Sequence, residues 1–144
     1  CVFSIGQFLN TNAMTDIKIK RAYEEAAPAD GYRILVDRLW PRGVSHERLD
    51  CKQWAKNIAP SNDLREWFHE DPDHRWNEFM TRYRDELKAS PDFVPFVNEI
   101  SQYPVVTFVY GAHDELHNNA VILRDECIVA LDITPINKIN ENIV

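Results

Sequence analysis

The sequence predicts a small single α/β domain: a mixed or mostly parallel sheet with helices packed on it. Three observations carry this. Two β-rich apolar runs, "YRILV" (32–36) and "VVTFVY" (105–110), are nearly continuous rather than alternating, as in strands covered on both faces. The connection between them is long and helix-like, so a crossover can make them parallel. Its segments also open on helix start signals, at Ser45, Ser61, Asp71-Pro72 and Ser90-Pro91.

In chain order, "CVFSIGQFLNTNA" (1–13) has an apolar head but no basic region, which makes a poor signal peptide. It reads as an upstream or added extension, with a lipid-bearing Cys1 as the alternative. The domain is expected over 14–132. "DIKIKRAY" has period two, with Ile17 and Ile19 on one face of a strand. "EEAAPADG" is a Pro/Gly loop. Ser45 is expected to cap a helix to about residue 58, because Cys51, Trp54, Ala55 and Ile58 fall at helical spacing. Ser61 caps a short helix carrying Leu64, Trp67 and Phe68.

Asp71-Pro72 starts a helix to about Lys88. It buries Trp76, Phe79, Met80, Tyr83 and Leu87, and pairs Glu78 with Arg82 and Arg82 with Glu86. The helix after Ser90-Pro91 presents Phe93, Phe96, Val97 and Ile100. "DELHNNAVILRDEC" is expected to be helical, with Asp114 placed as its N-cap. "IVALDI" is open between helix end and strand, and 133–144 reads as a polar tail.

Composition excludes several classes. Sixteen Lys and Arg against 23 Asp and Glu leave a net charge of −7, so no nucleic-acid partner is expected. No run approaches the ~20 apolar residues of a membrane helix. Cys1, Cys51 and Cys127 are odd in number and form no CxxC, which fits packed thiols in the cytoplasm rather than disulfides or zinc. Four glycines leave no room for a glycine-rich phosphate cradle. His113 and His117 lack the Glu of an HExxH motif, and the cluster His69, Glu70, Asp71, Asp73, His74 suits a helix start, so no metal and no cofactor are expected.

Chemistry is sought at the carboxyl ends of the strands, where open α/β sheets bind ligands. Two exits qualify: "DRLWPRG" (37–43), and "YGAHD" (110–114) leading to His117-Asn118. If the strands are parallel the two exits meet. Arg38 and Arg42 would then hold a phosphate or carboxylate. His117 would be an acid–base group oriented by Asp114 or Asp37, and Asn118 would donate a hydrogen bond. Trp40 and Tyr110 would be aromatic walls. Each also has an ordinary use: Asp37 pairing with Arg42 or capping a turn, Asp114 capping a helix, His117 bonding nearby backbone, Trp40-Pro41 wedging the strand. The rival function is a non-catalytic interaction module, for which Trp40, Trp67 and Phe68 would form an exposed apolar patch.

"GYRILVDRLWPRGVS", "WAKNIAPSNDLREWF", "DPDHRWNEFMTRYRDEL" and "VTFVYGAHDELHNNAVIL" together resemble the YeaO-like family of uncharacterised bacterial proteins, domain of unknown function 488. The resemblance covers about residues 16–125. It implies a compact cytoplasmic domain and no established substrate. Its most distinctive stretches include Asp37, Arg38, Trp40, Arg42, Ser61, Arg65, Asp114, His117 and Asn118. His113 stands where such sequences often carry a basic residue. Glu70-Asp71-Pro72 stands where "HDP" is often seen, which puts a role for His69 in doubt.

Overall fold

A computed structural model describes the backbone of residues 15–143 and the side chains of residues 15–132; the expected extension at 1–13 lies outside the described residues. Four strands, β1 (Asp16–Arg21), β2 (Tyr32–Leu35), β3 (Gln53–Trp54) and β4 (Val105–Tyr110), form one sheet. Their order is β1-β4-β2-β3 and every neighbouring pair is parallel. Helices α1 (His46–Leu49), α2 (Asn62–Glu70), α3 (Pro72–Ala89), α4 (Phe93–Ile100) and α5 (Asn119–Ile143) complete the α/β domain. None of them is long and apolar enough to cross a membrane.

The two apolar runs are buried because the sheet is covered on both sides. On the thick face, Ile34, Val106, Phe108 and Tyr110 pack with Phe68, Phe79, Tyr83, Phe96 and Leu123 from the helices. On the thin face, Leu35 and Val109 pack under Val44, Leu49 and the half-buried Trp40 and Trp54. Period two in β1 divides its residues as expected: Ile17 and Ile19 join the thick-face core, and Lys18 and Lys20 reach over the other face.

That thin face holds a buried ion network. Asp30 accepts from Lys20 at 3.2 and 3.1 Å, from Arg33 at 2.6 Å and from the Ala27 amide at 2.9 Å. Arg33 also donates twice to the Leu49 carbonyl, at 3.0 and 2.7 Å, which ties α1 to β2. The Thr107 hydroxyl donates to the Asp30 carbonyl at 2.7 Å.

Two expected helices are corrected. Ser45 does cap a helix, accepting from the Arg48 amide at 3.1 Å, but the helix ends at Leu49. Asp50 turns left-handed at φ 50, and the chain becomes edge strand β3, with Ala55 N donating to the Leu35 carbonyl at 2.8 Å. Backbone pairing with β2 overrode the helical spacing of Cys51, Trp54, Ala55 and Ile58. At the second correction, residues 114–118 form a turn, and α5 is capped by Asn118, whose Oδ1 accepts from Val121 N at 3.1 Å. "IVALDI" continues that helix.

Of the two pairs expected on α3, Glu78–Arg82 forms. Glu86 instead accepts from the Ser61 amide at 2.9 Å and its hydroxyl at 2.6 Å, and Arg82 lies over the Trp67 ring. Phe79, Tyr83 and Leu87 are buried, whereas Trp76 and Met80 are only partly so.

Candidate functional site

Strands β2 and β4 are neighbours, yet the chain leaves their carboxyl ends in opposite directions. After β2 it runs over the thin face, where Val44 and Leu49 are buried. After β4 it turns to the thick face and enters α5. Diverging exits from adjacent parallel strands open a crevice between them. It is a cavity of about 50 Å³ lined by Asp37, Arg38, Pro60, Arg65, Phe68, His69, Phe79, Ala112, His117, Asn118 and Asn119. One water occupies ~30 Å³ in the liquid, so this volume suits one small polar group.

Asp37 fastens the two exits. Its carboxylate accepts from the Gly111 amide at 2.8 Å, and its carbonyl accepts from the Trp54 indole at 2.8 Å. Burial raises the Asp37 pKa, against bonds from Gly111 N and the Asn119 amide and the charge of Arg65. Arg38 Nε donates to the Pro60 carbonyl at 2.9 Å, which anchors its guanidinium at the base of α2. Asn119 donates to the Val36 carbonyl at 3.0 Å, and buried Asn118 to the Asp114 carbonyl at 2.9 Å.

Arg65 differs from the others: its Nε is buried and has no hydrogen-bond partner among the described residues. Its nearest carboxylate, Glu66, stands 4.0 Å from Nη2. The other such atom, Arg84 Nε, lies 3.0 Å from Glu126. Burial first, and then the Arg65 charge, hold His69 below the usual imidazole range.

Outside this cavity a groove of about 490 Å³ continues the crevice, sharing Phe68, His69, Ala112 and His117 and adding Pro72, Asp73, Trp76, His113 and Asp114. His117 stands at the junction. Its Nδ1 lies 2.9 Å from Asp114 Oδ2, and its ring meets Trp76 edge-to-face at 5.0 Å. Asp114 also accepts from the Leu116 and His117 amides at 2.9 and 3.0 Å, and these bonds with the His117 ring lower its pKa. It thus shapes the 114–118 turn rather than capping α5.

The fold therefore gathers Asp37, Arg38, His117 and Asn118 at one crevice, with Asp114 on its rim. Three other candidates lie elsewhere. Arg42 is exposed in the turn it forms with Gly43 (φ 79), its carbonyl held by the Tyr23 hydroxyl at 3.1 Å. Trp40 turns to the thin face, donates to the Val44 carbonyl at 2.6 Å and meets Trp54 at 5.3 Å. Tyr110 is buried in the thick-face core. Nor do Trp40, Trp67 and Phe68 form an exposed patch: Phe68 is core, and Trp67 is flanked by Arg75 and Arg82. Arg65, His69 and Asn119 were not among the candidate side chains. The first two carry a signal, since 65, 68 and 69 share a helix face with the core residue Phe68. Among the described residues no group of three His, Cys, Asp or Glu could hold a metal ion.

Comparison with known proteins places these features in a lineage. A family model described as "Inactive DUF488-N3 subclade" matches residues 16–140. The uncharacterised protein YeaO of Escherichia coli (strain K12) is 39% identical over 111 residues, covering 76% of this chain and 95% of that one. The uncharacterised protein Rv3073c of Mycobacterium tuberculosis (strain ATCC 25618 / H37Rv) is 37% identical over 109 residues, covering 76% and 91%. No solved structure matches significantly.

Proposed function

Because the chain belongs to the DUF488 family, and to a subclade described as inactive, we propose that it binds a small phosphate- or carboxylate-bearing ligand at the strand-end crevice without transforming it. The observation that carries this reading is the pair Arg38 and Arg65 on the lining of a cavity of about 50 Å³, with Arg65 Nε buried and without a partner among the described residues. An oxyanion would complete the hydrogen bonding of both arginines. The remaining N–H of the Asn118 and Asn119 side-chain amides would fix its orientation, and His117 on the rim would contact whatever the anion is attached to. In this role His117 and Asp114 are recognition groups, not an acid–base pair. Residence in the cytoplasm fits Cys51 and Cys127, which are free thiols. No nucleic acid or membrane partner is part of this reading.

The test is a thermal-shift series with inorganic phosphate, sulfate and acetate on wild type, Arg65→Met and Arg42→Ala. At a ligand concentration 100 times Kd, binding adds about 2.7 kcal/mol. A domain of this length then gains about 8 °C at ~3 °C per kcal/mol. Arg65→Met is expected to lose the shift, and Arg42→Ala, outside the cavity, to keep it. An unchanged shift in Arg65→Met would sink the reading. A bound metabolite recovered chemically altered would replace the binder with an enzyme.

A further inference from the structure

The groove outside the arginine cavity has a different chemistry from the cavity. Its walls include the rings of Phe68 and Trp76, Pro72 and the Ala112 methyl, and His117 stands where the two spaces join. Trp76 is only partly buried although it packs on Phe68 and Phe79, at 5.9 Å from each ring. The sequence assigns Trp76 wholly to the core by its spacing, but the structure leaves part of it on this wall. A ligand whose head lies between Arg38 and Arg65 would carry the rest of its mass into a groove of about 490 Å³, where Phe68, Pro72, Trp76 and Ala112 are joined by His69, Asp73, His113, Asp114 and His117. A polyhydroxyl chain would meet few polar partners on the Phe68, Pro72 and Trp76 side. A flat ring would bury its faces there and meet the His117 ring at its edge.

We infer that the ligand is an aryl oxyanion: a phosphate or carboxylate held by Arg38 and Arg65, joined to a planar ring lying in the groove of Phe68, Pro72 and Trp76. The inference rests on the anion-binding reading and adds the second half of the ligand. His117 then acts as a positioning residue, set by Asp114 against Trp76 so that the ring enters in one orientation.

The experiment is titration calorimetry of the wild type with inorganic phosphate, methyl phosphate, cyclohexyl phosphate and phenyl phosphate. Acetate, cyclohexanecarboxylate and benzoate repeat the comparison for a carboxylate head. Phenyl phosphate or benzoate is expected to bind about tenfold more tightly than its methyl counterpart, and more tightly than the cyclohexyl one. Trp76→Leu should abolish that advantage while keeping the affinity for inorganic phosphate or acetate. If Trp76→Leu does not fold, the phenyl-against-cyclohexyl comparison on wild type decides alone. Equal affinity for phenyl, cyclohexyl and methyl probes overturns the inference and leaves the anion site standing. Failure of every anion to bind wild type overturns both.

Discussion

Asp30→Asn gives the most direct reading of what holds the sheet. Asp30 is 6% exposed and Arg33 is 3% exposed. Burial alone would raise the Asp30 carboxyl, but the Ala27 amide, Lys20 and Arg33 outweigh it and hold the pKa below its ordinary 3.8. Asparagine can still accept from Ala27, yet it leaves Arg33 charged and buried without a counter-ion. Breaking such a pair costs about 3 kcal/mol at the low end of measured cases. At ~3 °C per kcal/mol, the midpoint should fall by about 10 °C at pH 7. Lys20→Met, which removes the more exposed cation, should cost about 1 kcal/mol. The pH sign follows from the lowered pKa. The Asp30 contribution is complete above the ordinary carboxylate value and is lost as pH falls through the folded value. Paired calorimetric melts from pH 7 to pH 3 should therefore show the wild-type advantage shrinking in acid. A midpoint within 2–3 °C of wild type at pH 7 (about 1 kcal/mol), or a gap independent of pH, would refute the account.

Asp37→Asn should act in the opposite sense. Its folded pKa is raised, so the wild type loses stability as pH rises from the ordinary carboxylate value through the folded one. A neutral amide that still accepts from Gly111 N should make the protein more stable than wild type at pH 7, with the gap closing toward pH 4. Denaturant melts at both pH values check this, and a variant weaker at pH 7 counts against it. The same change removes a repelling charge from the cavity, so phosphate should bind more tightly. Burial pushes the Cys51 thiol up to about 11 and raises Cys127 further. Native protein at pH 8 should therefore react with iodoacetamide at these two positions far more slowly than unfolded protein. Peptide mass mapping reads the outcome, and fast native labelling at Cys51 would contradict its packing.

The parts legible in the sequence are those whose cause is local. The strands "YRILV" and "VVTFVY" declared themselves by apolar continuity. Ser61 and Asp71-Pro72 marked the starts of α2 and α3, although the Asp71 carboxylate engages His74 rather than the helix backbone. Strand β3 is two residues long and exists through backbone bonds to β2, a partner 19 positions earlier in register. No side-chain pattern announces such a strand, while Cys51, Trp54, Ala55 and Ile58 offered a false helical one. The same distinction runs through the site. Parallel strands bring Asp37, Arg38, His117 and Asn118 together, as the strand-end rule requires. The direction of Trp40, and with it Arg42, is set by Trp54 across the thin face, a contact that depends on the unforeseen β3. Arg65 and His69 enter the crevice because α2 docks through Phe68, and that docking is tertiary.

The two buried charged regions of this domain differ in a way that bears on function. On the thin face, Asp30 and Arg33 satisfy each other and the backbone around them. At the strand ends, Arg65 keeps a buried nitrogen open, and Asp37 stays beside it at a raised pKa. An open buried donor costs about 1–3 kcal/mol. A fold able to close one network so fully could have closed the other with a single carboxylate on α5, which begins beside the cavity at Asn119. Amides stand there instead: Asn118 accepts from Val121 N and donates to the Asp114 carbonyl, and Asn119 donates to the Val36 carbonyl. Arg65 Nε is thus left without a hydrogen-bond partner among the described residues, and the anion-binding reading starts from that difference between the two regions.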